Sequence, residues 1–193
     1  MLLSEIDIVE YMYEEPPNNL IISPITDFQK QIGPSSFDLL LSPHLKVFEI
    51  SKIPFYELNK DGLVVNKDEL NKNFIDIYLE KDEAFTLHPN NFILGSTLEF
   101  IKLPNTIAAV IEGRSSISRL GIQVHATAGF VDPGYAGNLT FEMVNIGKVP
   151  VKIEAVTRIA QISFHELKSG TSIPYHIKKI KHYFMSFGTV GPK

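Results

Sequence analysis

Proline, glycine and asparagine cut this chain into short apolar runs, and that punctuation restricts its fold more than any other feature. From Leu20 onward the runs are "LIISPI", "FDLLLS", "LKVFEI", "FIDIYLE", "FILGSTLEFIKLP", "IAAVIEG", "NLTFEMVN", "VPVKIEAV" and "RIAQISFHEL". They are rich in β-branched and aromatic residues, with turn signals recurring about every 8–12 residues, which is the spacing of strands. The expectation is a mainly β barrel or sandwich with little helix. Only the front of the chain departs from this. Ser4 and Asp7 have capping-box spacing, and Ile8, Val9 and Met12 follow at helical intervals, so residues 1–15 should hold a short helix ended by "EEPPNN" (14–19).

With 193 residues, 44% hydrophobic and 21% charged, the chain can bury one substantial core, and a single domain over 1–193 is expected. Zero cysteines exclude disulfides, thiolate nucleophiles and cysteine-ligated zinc, including the zinc centre of one class of nucleobase deaminases. A net charge of −4 argues against a sequence-independent grip on nucleic acid. No apolar run approaches the roughly 20 residues that span a bilayer, and the acidic start is unlike a leader, so no membrane partner and a cytoplasmic location are expected. The Lys-, Asp- and Asn-rich stretch 59–73 is read as an exposed hairpin or insertion, and 169–193 as a cationic, aromatic tail that orders over a ligand or simply packs.

Several clusters could carry chemistry. In "GRSSISRLG" (113–121), Arg114 and Arg119 flank Ser115, Ser116 and Ser118, so guanidiniums, hydroxyls and backbone N–H groups can converge on an anion such as phosphate. The alternative is a polar turn with a serine helix cap. In "HATAGFVDPGYAGN" (125–138), Asp132-Pro133-Gly134 marks a turn, and three glycines allow close backbone approach to a ligand or build a plain hairpin. Alternation in "NLTFEMV" puts Leu139, Phe141 and Met143 on one face and Asn138, Thr140 and Glu142 on the other. Glu142 then either faces solvent or, if that face lines a pocket, serves as a general base. The six histidines show no metal-ligand spacing, and no Gly-x-Ser-x-Gly elbow is present.

In order, "GPSSFDLLL" (33–41), "GRSSISRLG", "TAGFVDPGYAGNLTFEM" (127–143), "RIAQISF" (158–164) and the tyrosine-bearing tail resemble the dCTP deaminase family, from about residue 20 to the C-terminus. The resemblance implies a dUTPase-like distorted, jelly-roll-like β-barrel. It also implies a homotrimer with active sites between subunits, and a zinc-free deaminase that takes its nucleotide as the magnesium complex. By matching position, Glu142 is the catalytic carboxylate, with Arg119, Ser115 and the Ala128 carbonyl fixing the reacting water. Arg114, Ser115, Ser116, Gln161 and Tyr175 match triphosphate contacts, and Asp132 and Tyr135 match the deoxyribose site. The tail 169–193 matches a lid.

Plain dUTPases usually carry an apolar residue where Glu142 stands and Ala-Gly-x-Asp-Leu where this chain has "PSSFDL", so the resemblance favours deamination of dCTP to dUTP. "TAGF" resembles the branch that continues to dUMP and pyrophosphate. In the tail, His182 and Ser186 replace the family's usual lysine and glutamine, which removes a full charge near the phosphates. A dUTP diphosphatase without deaminase activity, or a regulatory nucleotide-binding trimer, are the alternatives.

Overall fold

The computed structural model describes residues 1–49, 55–60, 64, 70, 72–126, 128–178 and 182–191. The front helix, α1 (Glu5–Tyr13), begins at Ser4, whose hydroxyl accepts the Asp7 N–H while the Asp7 carboxylate accepts the Ser4 N–H at 2.8 Å. This reciprocal pair occupies donors that a first helical turn otherwise leaves open. Ile8 is fully buried, whereas Val9 and Met12 are half-buried, so the helix docks along a narrow stripe. Two one-turn helices, α2 (Phe28–Gln31) and α3 (Ser115–Ser118), and a 3-10 turn at Tyr175–Ile177 are further helical elements.

The strands are β1 (Ile21–Ser23), β2 (Phe37–Leu40), β3 (His44–Phe48), β4 (Phe74–Tyr78), β5 (Ala84–Leu87), β6 (Phe92–Lys102), β7 (Ile107–Gly113), β8 (Ile122–Gln123), β9 (Phe130–Val131), β10 (Ala136–Asn145), β11 (Val151–Glu154) and β12 (Arg158–Glu166). Every apolar run read from the sequence contains one of them. The larger sheet runs β4-β3-β6-β10-β8, with β1 also on β6; a second runs β2-β12-β7-β9; β11 and β5 form a separate pair. All of these ladders are antiparallel. One buried cluster joins the sheets, including Phe37 and Leu39 of β2, Ile93 and Ile101 of β6, Phe141 and Met143 of β10, and Ile162 and Phe164 of β12. The mainly β expectation holds. Most of 59–73 lies outside the described residues; Val64, which is described, forms an isolated bridge with Leu58.

Two features depart from the local reading of the sequence. The Asp132-Pro133-Gly134 turn is not the tip of a hairpin, because β9 pairs with β7 while β10 pairs with β6 and β8. It is a corner carrying the chain from one sheet to the other, and Gly134 adopts φ +76 there. The second is a carboxylate inside the core. Glu99 of β6 has 0% exposure; its Oε1 accepts the Gln31 side-chain N–H at 2.8 Å, and the Leu40 N–H reaches both of its oxygens at 3.1–3.2 Å. Gln31, also buried, accepts the N–H groups of Thr26 and Asp27. Burial pushes the Glu99 carboxyl up to about 7, against the pull of those donated hydrogen bonds.

Candidate active site

Alternation along β10 is as strict as its sequence suggests: Leu139, Phe141 and Met143 are buried, while Asn138, Thr140 and Glu142 are half-buried on the opposite face. That face is partly covered. It floors a cavity of about 440 Å³ whose lining includes Asn138, Thr140, Glu142, Leu94 of β6 and Ile111 of β7. Segment 128–135 supplies one wall through Ala128, Phe130, Asp132 and Tyr135, and the tail supplies another through Tyr175, Tyr183, Ser186, Val190 and Gly191. The volume and the mixture of apolar walls with a few polar groups suit a small organic ligand.

The sheet-crossing corner explains why Asp132 and Tyr135 meet here. The Tyr135 N–H closes the turn onto the Asp132 carbonyl at 3.2 Å, and the Tyr135 hydroxyl donates to the Asn138 carbonyl at 2.7 Å. Tyr135 is 7% exposed, and burial pushes its phenol well above the usual range, so it stays a neutral donor. Its ring meets Tyr175 at 5.4 Å between centroids. Asp132 is ion-paired with Lys178, which lies over the Tyr175 ring at 5.6 Å from its centroid.

The tail is seated on the barrel by backbone bonds. Met185 N–H donates to the Ala136 carbonyl at 2.7 Å, Asn138 N–H donates to the Ser186 carbonyl at 2.9 Å, and the Thr189 hydroxyl donates to the His44 carbonyl at 2.6 Å. Gly137 permits this approach: a Cβ there would lie 3.0 Å from the N and O of Ser186, and its φ is +150.

Ala128, Asp132, Tyr135, Glu142, Tyr175 and Ser186 thus share one cavity. Arg114, Ser115, Ser116, Arg119, Gln161 and His182 are outside its lining. Ser115, Ser116 and Arg119 are exposed on and after α3, whose cap position is Arg114 with no side-chain cap bond, so no serine caps it. Arg114 turns away from α3: its Nε meets Asp38 at 3.0 Å and its Nη1 donates to the Arg158 carbonyl at 3.1 Å. Gln161 faces Asp38 across the β12–β2 ladder, which puts it beside this arginine pair. Asp38 sits between Arg114 and Arg158; burial raises its carboxyl, and the two guanidiniums oppose that rise. His182 is half-buried with its ring edge-on to Tyr183. Asp38, Lys178 and Asn138 are the neighbours that sequence reasoning assigned no role. The signal for Asp38 was its place in the "PSSFDL" block, and that for Asn138 its place on the face of Glu142.

Among the described residues, no group of three or more His, Cys, Asp or Glu side chains could hold a metal ion, and no helix is long and apolar enough to cross a membrane. An antiparallel β scaffold with a half-enclosed cavity floored by one strand carboxylate is the architecture of a small-molecule enzyme site. Residues 2–167 match the family model described as dCTP deaminase-like, and the chain belongs to that family. A protein of Dictyoglomus turgidum named "dCTP deaminase, dUMP-forming" is 42% identical over 193 residues, covering 100% of this chain and 94% of the relative. One of the same name from Methanosphaera stadtmanae is 40% identical, covering 100% and 91%. The crystal structure of 2'-deoxycytidine 5'-triphosphate deaminase from Agrobacterium tumefaciens shares the fold, with TM-score 0.65 and 22% identity over 86% of this chain. The present chain spans about half of that longer one, at 48%.

Proposed function

We propose that this chain hydrolyses dCTP to dUTP and ammonia, and then cleaves dUTP to dUMP and pyrophosphate within the same site. The observation that carries the reading is Glu142 on the floor of a nucleotide-sized cavity, in a chain about 40% identical to proteins named for dUMP formation from dCTP. In the first step Glu142 takes a proton from water as the water oxygen bonds to C4 of cytosine. That proton passes to N3, the new C4 hydroxyl gives up its own proton, which is delivered to the amino group, and ammonia leaves as the C4–N bond breaks and the C4 carbonyl forms. Ala128 lines the cavity with Glu142, and its carbonyl anchors the water. Tyr135 and Asp132 take the deoxyribose, with the buried Tyr135 ring set against a 2'-hydroxyl. Magnesium arrives with the triphosphate as part of the substrate.

Among the described residues the cavity lining contains no lysine or arginine, although the substrate is a polyanion. This supports a homotrimer in which the exposed 113–121 segment of a neighbouring copy brings Ser115, Ser116 and Arg119 to the water and the phosphates. Arg114, Gln161 and Tyr175 complete the phosphate contacts. The tail closes over them with His182 and Ser186 where relatives of this family carry lysine and glutamine. The cysteine-free sequence and a nucleotide substrate fit a cytoplasmic enzyme.

The test is incubation with dCTP and magnesium followed by separation of dCTP, dUTP and dUMP, with ammonia and pyrophosphate measured. Ammonia and pyrophosphate in equal amounts from dCTP are expected. Glu142→Gln should cut ammonia release by about 10²–10⁴-fold, the usual range for a lost general base, while the mass of three chains is retained on sedimentation. Unchanged ammonia release from that variant would end the assignment. Pyrophosphate from dUTP with no ammonia from dCTP would select the diphosphatase alternative.

A further inference from the structure

We propose that Asn138 is a positioning residue that seats the C-terminal segment, so that the cavity takes its closed shape only when residues 185–189 are in register on β10. The part concerning turnover deepens the deaminase reading and rests on it; the seating itself does not.

The argument begins with a slip in the sheet. Asn138 faces Phe100 and Thr140 faces Ser96, so Leu139 alone on β10 spans what Thr97, Leu98 and Glu99 span on β6. Carbonyls in such a bulge lose their ladder partners and need other donors. The Asn138 side chain supplies them: its Nδ2 donates to the Glu99 carbonyl at 2.9 Å and the Thr97 carbonyl at 3.0 Å, with the Leu98 carbonyl at 3.4 Å. The amide therefore has one admissible orientation, since turning it over would point Oδ1 at three carbonyl oxygens.

With Nδ2 committed to the bulge, Oδ1 must look away from the sheet, and it accepts the Gly188 N–H at 3.2 Å. Gly188 reaches it by adopting φ +70, a left-handed conformation that glycine takes at little cost. The Asn138 backbone holds the segment as well, through its N–H to the Ser186 carbonyl, while the Asn138 carbonyl accepts the Tyr135 hydroxyl. One residue thus joins the bulged floor, the buried tyrosine of the corner and the tail. Glu142 stands four residues along β10 on the same face, and Ser186 and Val190 of the seated segment line the cavity beside it.

The experiment measures amide hydrogen exchange of the full-length protein without nucleotide, alongside steady-state kinetics with magnesium–dCTP. Asn138→Ala should speed exchange at Met185 and Gly188 about tenfold or more, leave β7 and β12 as protected as before, and raise KM for dCTP about tenfold. Gly188→Pro removes the same bond from the tail side without touching the bulge and also bars the φ of +70, so it should speed exchange at Met185 and raise KM for dCTP even if Asn138→Ala folds poorly. Wild-type exchange of Met185 in Gly188→Pro, or in a folded Asn138→Ala, would overturn the seating. Faster tail exchange with unchanged KM and kcat would overturn its link to closure. Absence of any dCTP turnover by the wild-type protein would defeat the deaminase reading instead, and the exchange data would still decide the seating.

Discussion

Replacing Glu99 with glutamine should make the protein more stable as pH rises, relative to wild type, although the change removes a buried hydrogen-bonding carboxylate. In the folded chain the Glu99 carboxyl is raised from the ordinary 4.5 to about 7, chiefly because burial penalises its charged form. A folded-state value above the unfolded one means that folding favours the protonated acid. The stabilisation is complete below about pH 4.5 and is lost as pH climbs through about 7, where the unfolded chain releases the proton more readily. Between pH 5 and 8.5 the linkage relation gives a loss of about 2.5 kcal/mol from this one group, at 1.36 kcal/mol per pH unit. For a chain of this length 1 kcal/mol moves Tm by about 2–4 °C, so the difference between Glu99→Gln and wild type should widen by roughly 5–10 °C over that interval. Glutamine can keep the essential bonds, because Oε1 alone already accepts both the Gln31 and the Leu40 N–H groups. Other carboxylates, Asp38 among them, titrate in both proteins and cancel. Thermal unfolding of the two proteins at matched ionic strength from pH 5 to 8.5 is the assay. A Tm difference that stays constant across the range would refute the claim that Glu99 ionises at a cost within the core.

Two further outcomes bear on the site. Asp38→Asn removes the charge that holds Arg114 at 3.0 Å and Arg158 at 3.5 Å, and should raise KM for dCTP about tenfold with kcat within about twofold, while lowering stability by about 1–3 kcal/mol in a denaturant titration. An unaltered KM would separate Arg114 from the phosphates. Gly137→Ala pushes a methyl group to 3.0 Å from the Ser186 backbone at a φ that alanine avoids, and should expose the tail to protease cleavage with the barrel left intact. A tail as resistant as wild type would show that this close approach is not needed for docking.

What the sequence revealed and what it concealed follow the range of the interactions. The apolar runs and the Ser4–Asp7 cap are local signals, and strands and helix lie where they point. The Asp132-Pro133-Gly134 turn was equally visible, but its partners were not: β9 and β10 belong to different sheets because of pairing with β7 and β6, which no local composition encodes. Alternation placed Glu142 opposite the core face, and only the fold roofed that face to make a cavity. The bulge that commits Asn138 depends on a register offset with β6, and Glu99 looked like an ordinary break in the run "FILGSTLEFIKLP". Of the positions grouped by family resemblance, those on 128–142 meet Tyr175 and Ser186 of the tail in one cavity, while Ser115, Ser116 and Arg119 are surface groups of a single chain.

Because a ribosome works from N- to C-terminus, every strand through β12 emerges before residues 183–191 that wall the cavity. A chain whose tail is not seated therefore lacks that wall, and the Glu142 basin is open to water. Proteolytic trimming beyond β12 would strip away Tyr175, Tyr183 and Ser186 and leave the chemistry unsheltered.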